Sequence, residues 1–326
     1  MAFLARRLGH GLLVLLAMSL LVFVAVYAIG NPVDLLVDPQ ADSADIARTI
    51  HALGLDLPLW QQYLHFLRGA LSGDLGHSFV HGEPAIRLIL ERLPATLELA
   101  CAALVIAVAL GLPLGLWAGL KPESLAGRAI MAVSTLGFSL PTFWVGLMLV
   151  LVFAVQLGWL PPGGRGETVE VFGLPLSFLT IDGCRHLLLP AANLALFKTA
   201  LLIRLVRAGT VDALAQDYVR TARAKGLSEG RVVGVHVLKN ILIPIVTVLG
   251  MEFGSVIAFA IVTETVFGWP GMGKLLIDAI GALDRPVVVA YLLVSTALFV
   301  GINLLVDGLY ALLDPRVRQG GGGADA

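Results

Sequence analysis

Six stretches of this chain run for 22 to 28 residues with at most three charged side chains each: 8–29, 95–120, 130–157, 187–208, 240–263 and 286–312. An apolar helix needs only ~20 residues to cross a bilayer. No other feature restricts the fold so tightly. The expected class is an all-α polytopic membrane protein with six transmembrane helices. Composition agrees: 58% of residues are hydrophobic and 14% charged, where a soluble domain carries about 25% charged. Arg6 and Arg7 precede a first apolar run that lacks an A-x-A cleavage site, so an uncleaved anchor is expected rather than a signal peptide.

Orientation follows from Lys and Arg placement. With the N-terminus inside, thirteen cations fall on the cytoplasmic side, seven of them between Arg204 and Lys239. The two short outer loops carry four: Arg165, Arg185, Lys274 and Arg285. Both termini are therefore expected to be cytoplasmic. Cys101 and Cys184 are not expected to pair, and a net charge of −1 gives no footing for nucleic acid.

The stretch FGWPGMGKLL (267–276) places Gly268, Gly273 and Lys274 at the G-x-x-x-x-G-K spacing of a phosphate-binding loop. Three features argue against nucleotide. Leu275 stands where Mg²⁺ would need Ser or Thr, and Pro270 has no N–H to offer a phosphate. The loop also follows a span that runs outward. What remains is an aromatic turn with Phe267, Trp269 and Met272, then a short helix at 274–280. Such a turn is either an interfacial anchor or the outer mouth of a substrate path; Glu264 and Trp269 are candidates to line that path.

The inward-facing segment DYVRTARAKGLSEGRVVGVHVLKNILIP (217–244) is the most informative. Residues 216–225 read as a short helix stopped by Gly226. Ala222 and Ala224 are small enough for a groove on another protein to approach the backbone. Arg220, Arg223 and Lys225 surround them with charge. Val232, Val235, His236 and Lys239 then mark a second helix leading into the fifth span. Either this is a solvated basic loop, or it is a helix–Gly–helix element on which a cytoplasmic partner docks and pushes.

The segment resembles the EAA loop of ATP-binding-cassette importer permeases, in the form found in the dipeptide/oligopeptide transport family. TARAKGL (221–227), HVLKN (236–240) and Pro244 carry the likeness, as do ETVFGWPGMGKLL (264–276), RLPATLELA (92–100), NLLVDGLYALLDPRVR (303–318) and the run 53–78. Arg220 occupies the generic acidic position, Leu238–Lys239 the generic leucine–proline, and AIGNP (28–32) replaces an outer LPGDP. The resemblance implies a type I importer half: a first helix and long extracytoplasmic segment (1–94), a five-helix core (95–312) with a coupling loop at 211–239, and a tail (313–326) expected to be disordered. It implies a non-catalytic subunit without cofactors, ATP and Mg²⁺ being bound by two cytoplasmic ATPase partners. A second homologous permease, an external peptide-binding protein, a peptide substrate and the bilayer complete its partners. The coupling residues it implies are Asp217, Tyr218, Arg220, Thr221, Ala222, Arg223, Ala224, Lys225 and Gly226.

Other features fit a helix bundle. Gly111, Gly115 and Gly119, four apart, make a smooth strip for close helix packing. Lys198 and Glu252 lie at matching depths in the fourth and fifth spans, where charges face a partner or an aqueous cavity. They are either an ion pair or separate path-facing charges. His77 and His81 have i, i+4 spacing but no third metal ligand. Trp60, Tyr63, Leu64, Leu67 and Leu71 form an apolar stripe suited to a membrane surface or to covering neighbouring spans. The expected function is ATP-driven uptake of short peptides by alternating access. The alternatives are an ion-coupled secondary transporter, or uptake of glutathione, haem or nickel chelates.

Overall fold

A computed structural model describes residues 2–28 and 56–313. Residues 29–32 of the AIGNP stretch and the tail at 314–326 lie outside the described residues. Five helices are long and apolar enough to span a membrane, and a bent pair supplies a sixth candidate span. In chain order the helices are α1 (Ala2–Ala28), α2 (Leu59–Ser72), α3 (Ala85–Leu120), α4 (Leu125–Ser139) and α5 (Thr142–Leu149, continued by a π-helical stretch Val150–Gln156). A hairpin, β1 (Val169–Val171) and β2 (Leu174–Leu176), leads to α6 (Ile181–Leu214), α7 (Asp217–Ala224) and the single turn α8 (Glu229–Arg231). A π-helical stretch, Val232–Val237, then opens into α9 (Leu238–Val266), followed by α10 (Met272–Gly281) and α11 (Arg285–Leu313).

The third predicted span is the one the structure corrects. Instead of one helix over 130–157 there are two, α4 and α5, bent by 106°. The break falls at Leu140–Pro141, where Leu140 is extended at φ −85°, ψ 138°. A proline disfavours the helical region for the residue before it and supplies no N–H to continue the ladder. By contrast Pro94, Pro113, Pro190 and Pro244 sit inside helices that continue through them.

The hairpin was not anticipated from sequence. Its turn residues Phe172 and Gly173 both have positive φ, 52° and 77°, the two-residue turn whose twist matches that of paired strands. Val169 pairs with Leu176 and Val171 with Leu174.

The chain divides into two compact units, Met1–Glu91 with Leu276–Leu304, and Arg92–Leu275 with Leu305–Ala326. In the first unit, α2 lies against α1. The Tyr63 hydroxyl meets Ser19 Oγ at 2.8 Å, and Phe23 packs on Tyr63 and Phe66 at ring distances of 5.4 and 5.8 Å. Leu59, Trp60, Leu64 and Leu71 remain exposed on α2. The expected stripe therefore splits, one flank covering a span and the other left open. Buried Asp284 accepts hydrogen bonds from the Ser78 hydroxyl and from Phe79 N–H, the latter at 3.1 Å. That ties the segment before α3 to the start of α11.

In the second unit, α6 is the central helix. The glycine strip of α3 lies on it as expected. A Cβ on Gly111 would come within 2.9 Å of Leu202, and one on Gly115 or Gly119 within 2.6 Å of Val206 or Thr210. Only hydrogen fits at these three places. Helices α4 and α9 pack on α6 as well.

Candidate functional site

The segment singled out as a docking element folds as a unit rather than a loose loop. Val219 and Ala222 of α7, Val232 and Val237 of the π-helical stretch, Leu202 and Val206 of α6, and Ile241 and Ile245 of α9 form one buried cluster. Two expectations change here. Ala222 is 4% exposed and faces this cluster, so it offers no surface to a partner; Ala224 remains exposed. The buried face of the second helix is Val232 and Val237, while Val235 is half exposed. The π-helical turn explains this, because it brings residues five apart, rather than three or four, onto one face.

Gly226 ends α7 with φ +76°. Leu227 N–H bonds to Ala222 O at 3.3 Å and Gly226 N–H to Arg223 O at 2.9 Å. These are the two bonds of a Schellman stop, which needs a left-handed residue and therefore favours glycine. Across the turn, Arg223 Nε donates to Glu229 Oε1 at 2.7 Å and its Nη2 to Oε2 at 3.1 Å. The guanidinium holds the Glu229 carboxyl below its ordinary range, and the carboxylate raises Arg223. Asp217, Tyr218, Arg220, Thr221, Arg223, Ala224, Lys225 and Gly226 are all exposed. They make one charged surface resting on an apolar floor that includes the first residues of α9.

The glycine turn 268–273 also resolves. Glu264, fully buried, points its carboxylate into it. Thr96 Oγ1 donates to Glu264 Oε1 at 2.7 Å, Lys274 N–H donates to Oε2 at 3.0 Å, and Gly273 N–H also donates to the carboxylate. Thr96 Oγ1 in turn accepts Met272 N–H at 2.9 Å. A Cβ at Gly271 or Gly273 would collide with this carboxylate. Amides at a helix N-terminus are engaged here as they would be by a phosphate, but the group they hold is the chain's own Glu264 carboxyl. Trp269 is also fully buried, its Nε1 donating to Ala95 O at 2.9 Å. The sequence makes both residues candidates to line a path; the structure puts them inside the turn, where they tie it to α3.

Sequence reasoning passed over Glu98. Its side chain is 2% exposed and receives five hydrogen bonds. Arg165 Nε and Nη2 donate to Oε2 at 3.1 and 2.6 Å; Ser177 N–H, Ser177 Oγ and Phe178 N–H reach Oε1 at 2.7 to 2.9 Å. Every one of the roughly four acceptor positions of the carboxylate is used. The loop carrying the hairpin is thereby fastened to α3. A lone glutamate within an apolar span was the available signal.

Lys198 of α6 and Glu252 of α9 are paired. The Lys198 ammonium donates to Glu252 Oε2 and, at 2.7 Å, to Ser255 Oγ, which itself donates to Oε2 at 2.8 Å. The ring of Phe259 lies 5.9 Å from Nζ. The pair is not sealed, since 13% of the lysine side chain and 27% of the glutamate side chain stay accessible.

Apolar helices long enough to span a membrane, a basic element packed on two of them and a turn filled by a buried glutamate are the features to be placed in a family. A family model for the binding-protein-dependent transport system inner membrane component matches residues 111–319, and the model for the N-terminal part of such components matches residues 1–100. The chain belongs to this family. The permease is 42% identical to the di/tripeptide transport system permease protein DppB of Pseudomonas aeruginosa, over 98% of this chain and 99% of that one. It is 37% identical to the dipeptide transport system permease protein DppB of Escherichia coli K12, over 97% and 98%. It is 39% identical to the glutathione transport system permease protein GsiC of the same strain, over 93% and 94%. Among solved structures, an inward-facing conformation of the MetNI methionine ABC transporter aligns with a TM-score of 0.56 at 15% identity, covering 71% of this chain and 99% of that one. That likeness concerns the fold. The permease is thus a multi-pass inner-membrane component of a binding-protein-dependent ATP-binding-cassette importer, a transport subunit rather than a catalyst.

Proposed function

We propose that this permease carries short peptides, dipeptides foremost, inward across the cytoplasmic membrane. An external binding protein delivers them and a second homologous permease forms the other half of the path. Two cytoplasmic ATPases bind ATP and Mg²⁺, leaving this chain without a cofactor of its own. Its termini and the α7–α8 element face the cytoplasm. The single observation that carries the peptide reading is the near full-length similarity to dipeptide permeases at 37% and 42% identity.

The mechanical part of the reading rests on the shared core. An ATPase gripping the charged face of α7 cannot move it without moving Val219 and Ala222, and these pack with Ile241 and Ile245 at the start of α9. Closure of the ATPases then tilts α9 and α6 together, switching the path between its two openings. Glutathione is the second reading, favoured by the 39% identity to a glutathione permease. The experiment is uptake into proteoliposomes holding this permease with its partner chains and the binding protein. ATP-dependent accumulation of a labelled dipeptide is expected; accumulation of glutathione but not dipeptide would favour the second reading. Accumulation driven by a proton gradient without the ATPases would overturn both.

A further inference from the structure

The Lys198–Glu252 pair lies deep in the membrane. At ~1.5 Å per residue, Glu252 is about 12 Å along the span from Pro244 and about 21 Å from Val266. Ionisable groups at such depth face a bundle interior or water, because hydrocarbon solvates them poorly. This pair lies at the edge of the packed interior, with part of each side chain open. Beside it on α9, Met251 (58% exposed), Phe259 (68%) and Val262 (40%) project from the bundle. The side of α9 bearing Glu252, Ser255 and Phe259 is therefore left uncovered by this chain's own helices.

We infer that Lys198 and Glu252 form a polar waist in the path that binds the two charged ends of a short zwitterionic peptide by exchanging partners with it. The inference rests on the peptide reading above. Together the two groups are neutral, as is a peptide with free termini. Exchange converts one protein ion pair into two pairs with the substrate, leaving no charge unpaired once the peptide is held. Two extended residues span at most about 7 Å, short enough for both ends to be held from neighbouring helices after a small separation of the pair. Ser255 keeps a hydroxyl within reach of whichever group is momentarily free, and the open face of Phe259 suits a passing ammonium. A pair serving only to hold α6 on α9 would not need this exposure, because well-packed neutral residues replace buried pairs with little loss of stability.

The test uses the complete importer in proteoliposomes, with a labelled dipeptide as probe, and reads ATP hydrolysis and uptake separately. In Lys198→Met with Glu252→Gln, assembly and binding-protein-stimulated ATP hydrolysis should persist. Peptide moved per ATP should fall more than about tenfold, the scale on which truncated buried charge contacts act. The charge exchange Lys198→Glu with Glu252→Lys restores both charges and should recover uptake to within about threefold, less than one kcal/mol by the same conversion. Normal uptake per ATP in the neutral variant would overturn the inference. So would failure of the neutral variant to assemble, which assigns the pair to structure, or failure of the exchanged variant to transport. Absence of dipeptide uptake by the unaltered importer would instead overturn the peptide reading itself.

Discussion

Arg223 and Glu229 grip each other through two hydrogen bonds across Gly226, at 2.7 and 3.1 Å, so the exposed turn between α7 and α8 is held at both ends. The Schellman stop fixes the chain direction, and the ion pair links the end of α7 to α8. Force applied to one therefore reaches the other.

Gly226→Ala should keep the chain in the membrane but loosen coupling. A side chain in the left-handed region costs roughly 1–2 kcal/mol, and nothing else crowds the position. Gly226→Pro should be more severe, since proline cannot adopt φ +76° and removes the N–H that bonds to Arg223 O. The measurement is uptake per ATP hydrolysed: a moderate fall for alanine and a near-complete loss for proline. Equal values for both variants would refute the geometric argument.

The ion pair across this turn sets a pH expectation. Glu229 has its carboxyl lowered by Arg223 in the folded element. Its ordering contribution is therefore complete above the ordinary carboxylate range, and is lost as pH falls through the lowered value. Cleavage of the 217–231 region by an added protease should be independent of pH between 6 and 8 and should rise only in strong acid. Glu229→Gln should show the raised cleavage already at neutral pH.

Thr96→Val removes the donor to Glu264 and the acceptor for Met272 N–H together. Leaving such buried groups unpaired costs about 1–3 kcal/mol each. The variant should melt several degrees lower in detergent, whereas Thr96→Ser should melt close to the unaltered protein. Equal melting of the two would show that the hydroxyl carries no load.

Gly115→Leu should block packing of α3 on α6. Even a Cβ there falls 2.6 Å from Val206, and overpacking costs typically 1–3 kcal/mol or more. Low yield and early aggregation on size-exclusion chromatography are expected, with Gly9→Leu, where a Cβ meets nothing within 4 Å, as the tolerant control.

Much of this molecule is legible in its sequence because bilayer thickness translates directly into runs of apolar residues. Gly111, Gly115 and Gly119 announced a packed face, and Gly226 a helix stop, by spacing and backbone chemistry alone. Long-range partners were less accessible. Glu98 and Glu264 stand out as carboxylates in apolar surroundings, yet the side chains that donate to them, Arg165 and Thr96, lie 67 and 168 residues away in sequence. The α4–α5 break was signalled only by Pro141, and four other prolines in this chain leave their helices unbroken. The burial of Val237 rather than Val235 depends on a π-helical turn whose period a 3.6-residue reading cannot see. Pairing of Lys198 with Glu252 was one of two arrangements consistent with their equal depth.

In the proposed mechanism an ATPase drives this permease through the α7–Gly226–α8 element. Ala224→Cys, in a background with Cys101 and Cys184 replaced by serine, places one thiol on the exposed end of α7. A short bifunctional thiol reagent applied to the assembled importer in inside-out vesicles should join it to an ATPase subunit and stop uptake, reducing agent restoring both. Labelling of that cysteine from the outer face of intact cells by an impermeant reagent, or a cross-link that leaves uptake unchanged, would contradict the account.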